Sequence, residues 1–371
     1  MRVGIDARLV YYSQAGISQY IRRLTEALAR VVQGDHEFIL LQSRKDRRKL
    51  VEHERFRRVS LWTPSHHRLE QWTLPVEIRG LRLDVLHSPD FIPPSRRNCK
   101  SVITVHDLAF LLYPHFLTKE SARYYGQIDQ AVRRTNHIIA VSEATRRDII
   151  DRLGVPENKI TVIHEAANPI FRPMDRAEAL RCTQERYPLP NRFILFVSTI
   201  EPRKNVQTLL RAFRQFLDDY KQEVKLVFAG SRGWLFEDVF ALVQQLHLED
   251  RCIFLGRVSS EDLLCLYNSA QVLVQPSYYE GFGLPPLEAM ACGTPVIVSN
   301  VSSLPEVVGD AGFLVDPNSV DELAVALWRV LTDEPLRKQC IERGFKRAQS
   351  FSWDKAARQT LEVYRHVANG G

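Results

Sequence analysis

Short apolar runs alternate along the chain with stretches of helical period, the pattern of repeated βα units. In the first half, residues 2–6 (RVGID), 36–42, 85–87, 101–105 (SVITV), 137–141 (HIIAV) and 161–164 (TVIH) read as strands. Residues 16–31 set Ile17, Tyr20, Ile21, Leu24 and Leu28 on one helical stripe. A second helix spans 144–152 behind Ser142 as its N-cap. The aromatic-rich segment 110–125 reads as a long loop followed by a helix. Periodicity lapses between 168 and 192, where Pro169, Pro173, Pro188 and Pro190 interrupt the chain. That lapse predicts an interdomain linker, drawn at 171–192. The pattern resumes with strands at 193–197 (FILFV), 225–229 (KLVFA), 252–255, 270–274 (AQVLV), 294–299 and 312–315, and helices at 206–216, 287–292 and 353–367. Strands separated by helices in this way predict an α/β fold with parallel sheets covered on both faces.

Length and charge narrow this picture. With 371 residues the chain exceeds one ordinary core and suits two α/β domains, 1–170 and 193–351. Hydrophobic residues make up 45% and charged ones 25%, and no apolar run reaches the length of a membrane span. The opening residues MRVGIDARLVYY lack a signal peptide's apolar core, so a cytoplasmic protein is expected. Six cysteines without C-x-x-C spacing predict buried free thiols rather than disulfides or a metal site. The net charge of +6 sits in the first 100 residues, which hold 19 Lys/Arg against 11 Asp/Glu. Residues 44–58 (RKDRRKLVEHERFRR) read either as a solvated helical face or as a surface for anionic membrane lipid or a polyprenyl-diphosphate acceptor. Nucleic acid is not an expected partner, because the nearby aromatics form no stacking platform.

Candidate chemistry concentrates in residues 275–295, QPSYYEGFGLPPLEAMACGTP. A turn at 277–284 follows a strand, Pro285 and Pro286 pre-set the first turn of a helix, and Gly293 ends it. Glu280 then lies in a loop and Glu288 near the helix start, at the carboxyl end of a strand where open α/β sheets bind ligands. The amides of Gly281, Phe282, Gly283 and Leu284 face the space before the helix, a place for hydroxyls or an anion. Taken singly, each glutamate reads as a surface carboxylate or a charge complementing the helix dipole. In EPRKN (201–205), Arg203 and Lys204 precede a helix, as an anion site or as an exposed basic turn. Upstream, strand 2–6, a loop with Arg8 and the pair Ala15-Gly16, and helix 16–31 make half of a phosphate-binding unit without a full G-x-G-x-x-G. His106-Asp107 ends strand 101–105, as a capped turn or a site pair, and Gly230-Ser231 is a strand-end turn that lets backbone approach a ribose or base.

The spacing of Glu280 and Glu288, with GFG, the double proline and CGTPVI, resembles the E-x7-E signature of GT-B retaining glycosyltransferases of family 4, in the mannosyltransferase-like branch. Other segments fit in the same order over nearly the whole chain. The resemblance implies a GT-B fold, two Rossmann-like domains facing across a cleft, with 352–371 packing back on the first domain. It implies a nucleotide-sugar donor, GDP-mannose before UDP-linked sugars, a glycan or lipid-linked acceptor of cell-surface polysaccharide synthesis, retention of configuration, and neither metal nor further cofactor. Carried over by position, Lys204 and Arg203 would bind the diphosphate, and His106 would face the donor sugar. Asp107 would orient His106 or contact the acceptor, on the side of Asp6 and Arg8. Gly16, Gly230 and Ser231 would border the donor, Arg257 and Val258 the base, Glu288 the ribose, and Glu280 with residues 281–284 the sugar. The chemistry would fall to His106, Glu280 and Lys204. Ser198 stands where many members place an arginine. Two other classes compete with this reading: a nicotinamide-dependent oxidoreductase, for which the glycine fingerprint is incomplete, and a non-catalytic sugar-nucleotide-binding protein.

Overall fold

The computed structural model describes residues 1–12, 16–67, 69–114, 124–231, 233 and 236–370. Ala15 and residues 115–123 of the expected aromatic loop lie outside the described residues. The chain forms two compact units, Met1–Glu165 with Ser352–Gly371, and Ala166–Phe351. Among the described residues no helix is long and apolar enough to cross a membrane.

The first unit is built on a parallel seven-stranded sheet of order β3-β2-β1-β4-β5-β6-β7. Its strands are β1 Arg2–Asp6, β2 Glu37–Ser43, β3 Phe56–Leu61, β4 Val85–Ser88, β5 Lys100–Val105, β6 His137–Ala140 and β7 Ile160–Val162. Helix α1, Gly16–Val31, buries Tyr20, Ile21, Leu24 and Leu28, the stripe expected from its period. The C-terminal helix, Trp353–Ala368, packs beside it. There Tyr364 Oη lies 2.6 Å from His87 Nδ1, and His87 Nε2 lies 2.8 Å from Thr104 Oγ1. Helix α2, Glu70–Ile78, covers the β2–β3 end with Leu74 and Ile78.

One expectation changes here. Residues 44–58 form no helix; they cross a turn and enter edge strand β3. Its charges fit because an edge strand exposes part of its length, as Arg57 does.

The second unit carries a parallel six-stranded sheet of order β10-β9-β8-β11-β12-β13. These are β8 Phe193–Val197, β9 Lys225–Ala229, β10 Cys252–Gly256, β11 Val272–Gln275, β12 Val296–Ser299 and β13 Phe313–Val315. Helices α3 (Arg176–Arg186), α4 (Val206–Tyr220), α5 (Ser260–Ser269) and α6 (Leu284–Ala291) follow in chain order. Helix α3 corrects the linker: Asp175 caps it by accepting from the Glu178 amide, and it packs on α5. Tyr187 Oη donates to Asp262 Oδ2 over 2.9 Å, and Cys182 is disulfide-bonded to Cys265. The expectation of free thiols fails for that pair because two helices that sequence spacing does not connect place the sulfurs together.

Candidate active site

In the second unit the site begins where β8 ends. The EPRKN motif folds as a 3-10 turn over Pro202–Lys204, and Asn205 adopts a left-handed φ of 58° before α4. Asn205 Nδ2 donates to the carbonyls of Pro276 (2.9 Å) and Pro317 (2.6 Å), and the Tyr278 amide donates to Arg203 O at 2.9 Å. The turn is therefore stitched to the loop after β11, and that loop delivers Glu280. Lys204 Nζ donates to both Glu280 carboxylate oxygens at 2.7 Å. Ser277 Oγ and Gln275 Nε2 each add a hydrogen bond of 2.7 Å to Glu280 Oε1. Arg203 Nη1 lies 3.6 Å from Glu280 Oε2 and donates to Tyr279 O, while its Nε pairs with Glu201 at 2.5 Å.

Lys204 and Glu280 are only 6% and 7% exposed, so this is a buried ion pair. Burial by itself would raise the Glu280 carboxyl, but Lys204 and Arg203 outweigh it and hold it at about 2. Burial pulls Lys204 down, and Glu280 opposes that by favouring the cation. The net shift of Lys204 is downward, and with Glu280 it forms an ion pair fixed in this loop. Ser302 and Ser303 hydroxyls donate to the Glu280 carbonyl, and Ser303 also reaches Phe282 O, which sets the GFG turn. Gly283 has φ 110°, and a Cβ there would stand 2.8 Å from the Leu304 side chain. Helix α6 starts at Leu284, earlier than expected, because prolines fit the first turn. Glu288 accepts from Tyr267 Oη at 2.9 Å.

The neighbouring strand ends carry the other residues expected near a donor. The Gly230 amide donates to Gly256 O at 2.8 Å, and the Ile200 amide to Ser231 O at 3.0 Å. A Cβ on Gly230 would overlap the Ser198 carbonyl oxygen, so Ser198 contributes backbone at this position. Ser231 and Arg257 are exposed and Val258 is half-buried. Together these residues line the carboxyl ends of β8, β9 and β10.

In the first unit, His106 follows β5. Its Nδ1 lies 2.9 Å from Glu165 Oε1 and its Nε2 lies 3.0 Å from Pro89 O. Both neighbours are acceptors, so the imidazolium satisfies both nitrogens. Burial lowers its pKa, but Glu165 more than offsets this and the net shift is upward. Asp107 does not orient His106: its Oδ1 accepts from the Ala109 amide at 3.0 Å, a local cap. Glu165 takes the orienting place, and a separation of 59 residues hid it from sequence reading.

Arg8 and Asp6, expected on the acceptor side, are engaged with each other inside the unit. Arg8 is fully buried, pairs with Asp6 Oδ2 at 2.6 Å and with Glu70, and donates to Thr63 O at 3.1 Å. Its guanidinium is an internal post and Asp6 is one of its anchors. Around that post stand residues that sequence reasoning did not select. His66, at a left-handed φ of 60°, bonds Asp90 through Nε2 and packs on the Tyr124 ring at 4.1 Å. Burial lowers the His66 pKa, and Asp90 outweighs that to raise it. Gly16 opens α1 with exposed backbone, and residues 13–15 before it lie outside the described residues.

Residues 15–169 match the family model of Glycosyltransferase Family 4, and residues 183–347 that of Glycosyl transferases group 1. O-antigen chain mannosyltransferase B from Escherichia coli is 36% identical over 301 residues, 81% of this chain and 78% of that protein. Serotype-specific mannosyltransferase WbdA, also from Escherichia coli, is 31% identical over 74% of this chain, which spans only 34% of that longer protein. Sucrose-phosphate synthase from Thermosynechococcus elongatus shares the fold, with a TM-score of 0.79 over 100% of both chains at 24% identity. Matches to both halves, a relative aligned over most of both lengths and the two Rossmann-like units place this chain in the group 1, family 4 glycosyltransferases of the GT-B fold, in their mannosyltransferase-like branch.

Proposed function

We propose that this glycosyltransferase moves a mannosyl residue from GDP-mannose to a glycan or lipid-linked acceptor in cell-surface polysaccharide synthesis, in the cytoplasm, retaining configuration without a divalent metal. The observation behind the reading is the buried Lys204–Glu280 pair, a cation kept charged where two strands end. Glycosyl transfer breaks the bond between C1 and the diphosphate and leaves negative charge on phosphate. Lys204, with Arg203 beside it, supplies the compensating positive charge. The acceptor hydroxyl bonds C1 on the face the phosphate leaves, and its proton passes to a phosphate oxygen. Donor and acceptor thus become glycoside and GDP with no enzyme nucleophile consumed. His106, held as an imidazolium, orients the sugar and takes no proton. Glu280 with residues 281–284 would hold the sugar, Glu288 the ribose, and the loops at Gly230-Ser231 and Arg257-Val258 the base. The mannosyl donor and the polysaccharide are supported by the names of the relatives in Escherichia coli.

The test compares thermal stabilisation by GDP, UDP, ADP and NAD, then turnover of GDP-mannose with a chelator present and the product's anomeric configuration by NMR. A shift with GDP and a retained anomer are expected. In the same assay His106→Ala should lose about 10²–10³ in kcat while keeping GDP affinity. A shift with UDP alone overturns the donor, an inverted product overturns the mechanism, and equal loss of GDP affinity in His106→Ala overturns the role given to that residue.

A further inference from the structure

Helix α2 has apolar residues on two sides. Its inner stripe, Leu74 and Ile78, sits in the core with Ile39, Leu41, Leu61 and Leu86. Its outer stripe is Trp72 (67% exposed) and Val76 (74%), continued by Leu69 (48%) just before the helix. These positions follow the three- and four-residue spacing of a single helical face. Beside them, at the end of β3, Trp62 is 70% exposed. The two tryptophans belong to one surface: Glu77 of α2 accepts from the Trp62 amide at 2.7 Å, and Thr63 bonds Thr73 at 2.8 Å.

Guanidinium groups border this apolar face. The Arg44 guanidinium lies 3.7 Å from the centre of the Trp62 ring, and that of Arg96 lies 5.7 Å from Trp72. Lys45, Arg47, Arg79 and Arg82 are exposed nearby in sequence. The acids of α2 turn inward: Glu70 is spent on Arg8 and His66, and Glu77 on the amides of Trp62 and Thr63. Exposed indole rings bordered by guanidinium groups match the headgroup level of a bilayer, where indole is half solvated and arginine meets lipid phosphate.

We propose that the outer face of α2, with Trp62 and the flanking Arg44 and Arg96, docks on an anionic lipid bilayer. Charge complementarity selects this occupant, since a neutral apolar partner would leave the arginines facing hydrocarbon. Trp72, Val76 and Leu69 enter the boundary between headgroups and acyl chains, and the arginines pair with lipid phosphates. The proposal rests on the lipid-linked acceptor of the preceding reading only for what the bilayer presents.

Sedimentation of the full chain with vesicles of phosphatidylcholine alone, or with phosphatidylglycerol added, tests it at about 0.1 M and about 1 M salt. Binding to the anionic vesicles alone, released by high salt, is expected, with a blue shift of tryptophan emission. Trp62→Ser with Trp72→Ser should cut the partition coefficient about tenfold or more, and Arg44→Gln or Arg96→Gln about fivefold each. All four changes lie on the surface, and unchanged thermal unfolding checks that each variant folds. The proposal is overturned if the wild-type chain stays with neither vesicle, or if the double tryptophan variant sediments as well as wild type. It is also overturned if the chain is a vesicle-free dimer that the same variant makes monomeric. GDP binding, followed in parallel, separates this outcome from the donor reading, because vesicle binding without nucleotide binding would sink that reading and leave this one standing.

Discussion

A carboxylate and an ammonium buried together respond to substitution unlike a surface pair, because neither can fall back on water. Glu280 and Lys204 are such a pair, and the carboxylate also accepts from Ser277 and Gln275. Glu280→Gln leaves Lys204 buried beside a neutral amide, at an expected cost of about 3–5 kcal/mol. Adding Lys204→Met to it removes the stranded cation, so the double variant should be less destabilised than the sum of the single ones. The pH dependence follows from the sign of the shift. The carboxyl sits at about 2 in the folded chain, below the roughly 4.3 of an unfolded glutamate. Its contribution is therefore complete above the unfolded value and is lost as pH falls toward the folded one. His106 has the opposite sign: its raised pKa contributes stability below its unfolded value, lost as pH rises through the folded one. Denaturant unfolding of wild type and Glu280→Gln at neutral pH and near pH 3 should show a gap that narrows in acid. Equal stability at neutral pH would mean that the pair does not hold these two loops together.

At the scale of elements, the candidate site depends on strand ends that approach too closely for a side chain. Gly230 ends β9 against the Ser198 carbonyl that follows β8, and its amide bonds Gly256 at the end of β10. Gly230→Ala must push these ends apart, an overpacking cost of about 1–3 kcal/mol. Gly16 is the contrast, since a Cβ there meets nothing within 4 Å among the described residues. Calorimetry should show a lowered transition for Gly230→Ala and none for Gly16→Ala; equal melting temperatures would refute the close approach. The same local view explains what could be read in the sequence. β8 coincides with a continuous apolar run, as does β9 after its first lysine, and the stripe of α1 with its period, because burial on both faces or on one stripe leaves those marks. β3 was missed because an edge strand with Arg57 and Arg58 resembles a basic helical face. Helix α3 was missed because only Ala179 and Thr183 are buried on it, too few to set a period. In the site, Lys204 and Glu280 were legible from motifs, whereas their pairing across 76 residues was not. Nor was the burial of Arg8, whose partner Glu70 lies 62 residues away.

For the molecule as a whole, the course of the chain is as consequential as either sheet. The second unit is one continuous segment, whereas the first is Met1–Glu165 closed by Ser352–Gly371. The returning helix buries Trp353, Leu361, Val363, Tyr364 and Val367. At about 1.5–3 kcal/mol for each large apolar side chain, that burial is on the order of 10 kcal/mol, comparable to the whole stability of a domain. It also closes a polar chain from Tyr364 through His87 to Thr104 and Tyr20, four groups with no exposure to spare. Burial holds His87 neutral, with its pKa pulled down to about 3, so it depends on the Tyr364 hydroxyl for a partner. Deleting residues 352–371 should therefore unfold the first unit and spare the second. Native-state hydrogen exchange reads this directly: β1, β4 and β5 should lose protection while β8, β9 and β11 keep it. Tyr364→Phe is the graded version, removing one hydroxyl and costing about 1–3 kcal/mol in the first unit alone. Retained protection in β4 and β5 after the deletion would show that the sheet closes without its last helix. Loss of protection in both units would show that they unfold as one. If only the first unit opens, its native core cannot close until residues 352–371 are in place, and the continuous second unit can fold before them.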